Sequence, residues 1–271
     1  MTRLDRLRVV FERELTTVRR TRTYLVLSVG FALLATAIAV TSGVSGYVPL
    51  LLSLVTPLEL LVPLLAGAYG YPAIVGARTR DELEIHQTYP VTRAEYVGGI
   101  YLARAAALSA SVVVPLLLLL FAVPVFGPRA TPLPQSTGLD SPVLYLRFVV
   151  LTAALACVTL ALFQFVSAVA GDRRRGLVAT LVGALVVLLG FDAVAVVGLG
   201  LGSGAAATVA VLGPTGAYRE LTLALAVAPA TASRSGSLVD VAVGGTVLLG
   251  WLVASLALAA VSVWRPVESA S

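Results

Sequence analysis

Arg78 to Gly99 reads RTRDELEIHQTYPVTRAEYVGG, the longest strongly polar run lying between two long apolar segments. It holds the only histidine, His86. It also carries two helix-start signals in tandem. Thr79-Arg80-Asp81-Glu82 fits the capping box, in which a Thr hydroxyl and a Glu three residues on satisfy free backbone N–H groups. Thr92-Arg93-Ala94-Glu95 fits it again. Between them Pro90 pushes Tyr89 out of helical geometry. The pattern predicts a short polar helix from about Arg80 to Thr88, a break, and a new helix near Arg93 that runs on into apolar sequence. A short polar helix slung between two membrane spans is a docking element more often than a catalytic one.

Composition sets the class. The chain has 271 residues, 58% of them hydrophobic and 12% charged, with a mean hydropathy of +0.96. A soluble domain does not carry so little charge over so much apolar surface, so the expectation is an all-α polytopic membrane protein. The 19 basic residues are all arginine, and asparagine is absent too. Lysine and asparagine codons are AT-rich, which points to a GC-rich prokaryotic genome. Without lysine no Gly-Lys-Ser/Thr phosphate loop exists, and without asparagine no N-glycosylation acceptor. Cys157 is the single cysteine, so there is no disulfide framework. One His, one Cys and one Met do not build a soft-metal site, and no metal or cofactor is expected on this chain.

Residues 1–22 do not read as a signal peptide. Leu4, Leu7, Phe11, Leu15 and Val18 recur at spacings of three and four, with most of seven arginines elsewhere. This predicts a basic amphipathic helix lying in the headgroup plane. Residues 23–271 then form the membrane domain. Spans of roughly 20 apolar residues are predicted at Tyr24–Val44, Tyr47–Gly76 (kinked by Pro57 and Pro63), Gly98–Val125, Val143–Ala170, Gly176–Gly200 and Val239–Trp264. A coupling loop (77–98) joins spans two and three. Residues 201–238, too long for a turn, hold two apolar pieces too short to span, and are read as short external helices that dip into or lie on the outer leaflet. With the N-terminus inside, fifteen arginines fall on the cytoplasmic side and only Arg129, Arg147, Arg219 and Arg234 outside. The positive-inside rule thus favours six spans with both termini cytoplasmic.

Few residues point to chemistry. Gly43-Val44-Ser45-Gly46 matches an intramembrane serine-protease pattern, but His86, the only base candidate, lies beyond the opposite end of span two. Gly198, Gly200, Gly202 and Gly204 lack the strand context of a dinucleotide site. Glu59 and Asp192 are carboxylates inside predicted spans, either translocation-path residues or partners of Arg147 or Arg219. Gln164 is a further path candidate, more often a hydrogen bond between helices. Arg104 is placed to snorkel to the headgroups.

Taken together, these pieces resemble the ABC-2-type permeases, the membrane subunits of type V ABC exporters. The residues that carry the resemblance are Asp81-Glu82-Leu83-Glu84, then Tyr89-Pro90-Val91-Thr92-Arg93, Glu95 and Gly98, the turn Asp172-Arg173-Arg174-Arg175, and Gly213-Pro214 to Tyr218-Arg219. The family's Gly-Thr before Leu-Glu is Asp81-Glu82 here, its Gly-Lys is Gly98-Gly99, and its Asn-Pro is Gly213-Pro214. The spacing is similar to that of the permease serving copper-site maturation of nitrous oxide reductase. The resemblance implies six spans, a second permease copy (identical or a close paralogue) and a separate ATPase subunit that holds the ATP and Mg. It makes Arg80, Asp81, Glu82, Leu83, Glu84, His86, Gln87, Tyr89 and Pro90 the coupling-helix contact with that ATPase, and Arg173, Arg174 and Arg175 a second internal loop. Membrane lipid is the other expected partner, nucleic acid is not, and the chain itself is not an enzyme. The rival is a stand-alone secondary transporter or channel using Glu59 and Asp192.

Overall fold

The computed structural model describes residues 3–43, 46–79, 92–121, 140–200, 206–230 and 238–264, and among them every regular element is a helix. α1 is Arg3–Arg20, α2 Arg22–Thr41, α3 Tyr47–Gly70 and α4 the single turn Val75–Arg78. α5 runs from Arg93 to Leu120 and α6 from Pro142 to Val169. α7 (Arg173–Leu185) passes through a π-helical segment, Val186–Gly190, into α8 (Phe191–Gly200). Two short helices follow, α9 (Ala206–Leu212) and α10 (Pro214–Thr222), and then α11 (Leu238–Ser262) closes the bundle. Six of these stretches are long and apolar enough to cross a bilayer: α2, α3–α4, α5, α6, α7–α8 and α11.

Local sequence explains the starts. Thr92 caps α5 in a complete box: its hydroxyl accepts from Glu95 N, and Glu95 Oε2 accepts from Thr92 N at 2.8 Å. Ser141 caps α6 with Pro142 in its first turn. Asp172 caps α7 by accepting from Arg175 N at 2.8 Å. α3 has no cap of its own. The Asp140 carboxylate instead accepts from Tyr47 N at 3.0 Å and Val48 N at 2.9 Å, tying the starts of α3 and α6 together.

α3, α5 and α6 form the buried centre, while α2, α7–α8 and α11 stand around them with most of their surface outward. The centre is tight where small residues allow it. A Cβ on Gly70 would stand 2.6 Å from Phe163 Cβ, so only glycine lets α3 cross α6 this closely. A small hydroxyl cluster joins three spans: Ser28 Oγ lies 2.7 Å from Ser111 Oγ, and Tyr69 OH lies 2.9 Å from Ser111 Oγ. Such contacts hold helices together where lipid offers no hydrophobic drive between them.

Helix lengths are unequal, and the excess collects at one end. Ser28 is the seventh residue of α2, but its partner Ser111 is the nineteenth of α5. About twelve residues of α5, roughly 18 Å at 1.5 Å per residue, therefore run past the start of α2. α1 packs lengthwise on this extension and in the same direction. Arg6 meets Glu95, Val10 meets Gly99, and Glu14 meets Arg104. The inward face of α1 differs from the predicted stripe. Val10 joins Leu7, Phe11, Leu15 and Val18, whereas Leu4 is 77% exposed. The reason is that α5, not a flat surface, is the partner, and it selects the residues that fit one groove.

Within the second span, α3 ends at Gly70 and Tyr71–Ile74 make a turn before α4, so the span reaches Arg78, two residues beyond the expected Gly76. Pro57 and Pro63 both lie inside a continuous α3. The short helices expected between spans five and six are α9 and α10, hinged at Gly213 with Pro214 opening α10. They are packed into the bundle. Tyr218 OH lies 3.0 Å from Thr152 Oγ1, and Trp251 Nε1 donates to Leu212 O at 2.9 Å. Thr215 Oγ1 donates to Val187 O at 3.2 Å, taking up a carbonyl in the π-helical segment, whose register leaves irregular backbone bonds.

Candidate functional site

The residues expected to form the coupling helix, Arg80, Asp81, Glu82, Leu83, Glu84, His86, Gln87, Tyr89 and Pro90, lie outside the described residues. The structure defines the frame on either side of them. On the incoming side Arg78 is clasped by two other chain turns. Its Nη1 donates to Ala170 O at 2.6 Å and its Nη2 to Val263 O at 3.0 Å, the carbonyls just past the ends of α6 and α11. Those carbonyls have no helical donor of their own, so one guanidinium serves as a shared C-cap. The preceding turn is fixed by Ser167 of α6. Its hydroxyl donates to Tyr71 O at 2.7 Å and accepts from Ile74 N and Val75 N at 3.0 Å each. Thr79, read from sequence as the start of a capping box, ends α4, and its hydroxyl donates back to Gly76 O at 3.2 Å.

On the outgoing side, Glu95 does two things at once. It closes the Thr92 box, and it takes a bidentate pair of hydrogen bonds from Arg6 of α1, at 2.8 Å and 3.1 Å. That hydrogen bond raises the Arg6 pKa above its ordinary value. Two turns farther on, Arg104 corrects an expectation. It does not snorkel outward; it is 4% exposed. Its Nε donates to Glu14 Oε1 at 2.7 Å, and its Nη1 donates to the Tyr69 carbonyl and, at 3.3 Å, to Tyr24 OH. The physical reason is that α1 runs along α5 and brings a carboxylate to the arginine, which satisfies the charge better than a stretched side chain does. Arg93 stacks over Trp264 with 5.3 Å to the ring centroid, tying the start of α5 to the chain just past α11.

Arg173, Arg174 and Arg175 open α7 and are exposed. Arg175 pairs with Asp172 at 3.2 Å across solvent, and Tyr71 OH donates to Arg173 O at 2.9 Å. This turn therefore abuts the same frame.

The intramembrane candidates separate from this end. Glu59, midway along α3, is buried and takes both a 2.8 Å hydrogen bond from Arg219 Nε and a second from its Nη2. Asp192 of α8 stands 3.7 Å from the same guanidinium, about a third exposed. Of the two partners weighed for these carboxylates, Arg219 is the one used; Arg147 donates instead to Leu225 O. Gln164 donates to Val97 O at 2.9 Å, a bond between α6 and α5, and leaves its buried Oε1 without a partner. No group of three or more His, Cys, Asp and Glu gathers among the described residues.

Sequence reading missed the Arg6–Glu95 and Glu14–Arg104 pairs. A signal existed. Arg104 in an apolar run demands an acid, and Glu14 shares a helix face with the Leu7–Phe11–Val18 stripe. Nothing comparable marks Ser167, whose role comes from a turn in another span.

A bundle of six bilayer-length helices is the architecture of a multi-pass membrane protein. The sequence model of the ABC-2 family transporter protein matches residues 8–265, nearly the whole chain, and the protein belongs to that family. It is a permease component of an ABC transporter, a system whose ATPase is a separate part. No curated protein matches the chain.

Proposed function

We propose that this permease is driven through residues 80–91, which serve as the coupling helix seated on a separately encoded ATPase subunit, and that it exports its substrate from a prokaryotic cell. Two permease copies stand side by side, each over one ATPase of a pair that binds ATP and Mg. Both termini and the coupling loop face the cytoplasm, in keeping with the arginine bias of the loops. α1 lies at that same surface. The spacing of residues 81–98 supports the branch that serves nitrous oxide reductase copper-site maturation.

The observation that carries this reading is the frame. A segment that receives a push is useful only if its two anchors do not yield. Here Arg78 is fixed to the ends of α6 and α11, and Thr92 opens a helix whose first turn is locked by its own box and by Arg6. Displacement of residues 80–91 therefore reaches α3 and α5 as rigid motion and is not absorbed in slack. A stand-alone transporter working through Glu59 loses its motive, since that carboxylate is already neutralised by Arg219.

The test is co-reconstitution of the permease with its ATPase. Glu84→Arg, or a proline inserted at His86, leaves the protein in the membrane and ATP hydrolysis running, while transport falls. Unchanged transport in both variants removes the docking role.

A further inference from the structure

The elbow between α1 and α2 carries a surface that the coupling frame does not use. Arg19, Arg20 and Arg22 are all exposed and have no acidic partner among the described residues. The carboxylates nearest to them in the chain are engaged elsewhere: Glu12 pairs with Arg8 at 2.7 Å, and Glu14 with the buried Arg104. Three cations within four positions are thus left uncompensated. The mutual repulsion is a cost that only an external anion relieves.

Past the elbow, the face of α2 that carries Arg22 is apolar and open. Leu25, Val26 and Val29 follow Arg22 by three, four and seven residues, so all four lie on one face of α2. They are 65%, 65% and 49% exposed. A basic elbow that leads through Arg22 into an uncovered aliphatic strip matches an amphiphile with an anionic head and acyl tail. α2 is 20 residues long, just one bilayer thickness, so its start sits at headgroup depth. The positive-inside rule accounts for the side on which these arginines stand. It does not account for their freedom from acids or for Arg22 standing in line with the strip.

We propose that the α1–α2 elbow binds an anionic phospholipid, its headgroup held by Arg19, Arg20 and Arg22 and its acyl chain laid along Leu25, Val26 and Val29. The occupant is a membrane lipid and not a soluble phosphate, because the aliphatic strip is continuous with the basic elbow through Arg22. By neutralising the elbow, the lipid steadies α1 against the early turns of α5. The site stands on the chain alone and does not depend on the ATPase, so its failure leaves the coupling reading untouched.

The test is native mass spectrometry of the full-length chain, released from nanodiscs of phosphatidylcholine mixed with phosphatidylglycerol. The wild type retains phosphatidylglycerol preferentially. Each arginine replaced by glutamine at positions 19, 20 and 22 lowers that preference about fivefold. R8Q, which removes an exposed charge already paired with Glu12, leaves it unchanged. Neither inorganic phosphate nor glycerol phosphate displaces the lipid. If the triple variant loses its fold in pure phosphatidylcholine, R22Q alone carries the measurement, with the same fivefold drop expected. Equal retention of the two lipids by the wild type, an equal loss in R8Q, or displacement by the soluble phosphates overturns the proposal.

Discussion

Removing the carboxylate of Glu14 tests whether α1 is clamped to α5 or merely rests on it. The Arg104 side chain is 5% exposed and that of Glu14 is 17% exposed, so the pair is largely shut off from water. Truncating one partner leaves the other charge buried and uncompensated, which costs about 3–5 kcal/mol for a fully buried pair. Glu14 keeps some exposure, and Arg104 keeps the Tyr69 carbonyl and Tyr24 hydroxyl as acceptors. The expected loss for Glu14→Ala is therefore at the low end, about 3 kcal/mol. Replacing both members by apolar residues, Glu14→Leu with Arg104→Met, removes the charge problem itself and is expected to return stability to within about 1 kcal/mol of the wild type. The assay is equilibrium unfolding in mixed micelles for the wild type, each single variant and the double variant, with hydrogen exchange on α1 as a local readout. The single variant should expose the amides of α1 before the rest of the bundle opens. If Glu14→Ala unfolds with the wild type and α1 stays protected, the clamp does not exist. If the double variant is as unstable as the sum of the singles, the pair is not coupled, and the reasoning fails at that step.

Close packing on the same seam gives a sharper contrast. A Cβ on Gly99 would lie 2.7 Å from Val10 and 3.2 Å from the Leu7 carbonyl, whereas one on Gly98 finds its nearest neighbour at 3.8 Å. Gly99→Ala is expected to cost about 1–3 kcal/mol and to loosen α1 in hydrogen exchange, while Gly98→Ala changes little. Within the membrane, Arg219→Gln leaves buried Glu59 without its cation and should destabilise the protein more than Asp192→Asn, whose carboxylate is 3.7 Å away and partly exposed. Adding Glu59→Gln to Arg219→Gln should recover part of the loss in a thermal-melt comparison, and no recovery would count against an ion pair as the tie between α10 and α3.

The parts of this molecule that follow from local physics were readable in the chain. Runs of apolar residues fix which stretches cross the bilayer, because backbone groups in lipid must bond internally. Thr92 and Glu95 announce a helix start three residues apart, whereas Asp172, expected in a basic turn before span five, itself caps that span's helix from Arg173. What was not readable depends on which surfaces meet. Arg104 looks like a snorkelling residue until α1 is known to run beside α5 and bring Glu14 to it. Leu4 fits the periodicity as well as Val10 does, and only the groove of α5 chooses between them. Ser167 and Asp140 are unremarkable in sequence because each caps a turn more than ninety residues away.

α3 physically joins the frame beside the polar loop to the intramembrane ion pair. Pro57 and Pro63 lie on either side of Glu59. A proline lacks the amide that would donate to the carbonyl four residues earlier, so Pro63 leaves the Glu59 carbonyl without its helical donor. The helix is thus least stiff at the residue whose side chain Arg219 grips. Below that point α3 continues to Gly70 and, through the Ser167-bound turn and Arg78, to the edge of the polar loop. α5, by contrast, has no proline before Pro115. Under the proposed coupling, a push on residues 80–91 therefore divides. Along α5 it travels as translation of a straight rod, carrying α1 with it through Glu95 and Arg104. Along α3 it is converted at Glu59 into bending, with the short helix α10 holding the pivot. Unequal stiffness on the two sides of one loop turns a single displacement into a relative motion of spans, which is what opening a path between them requires.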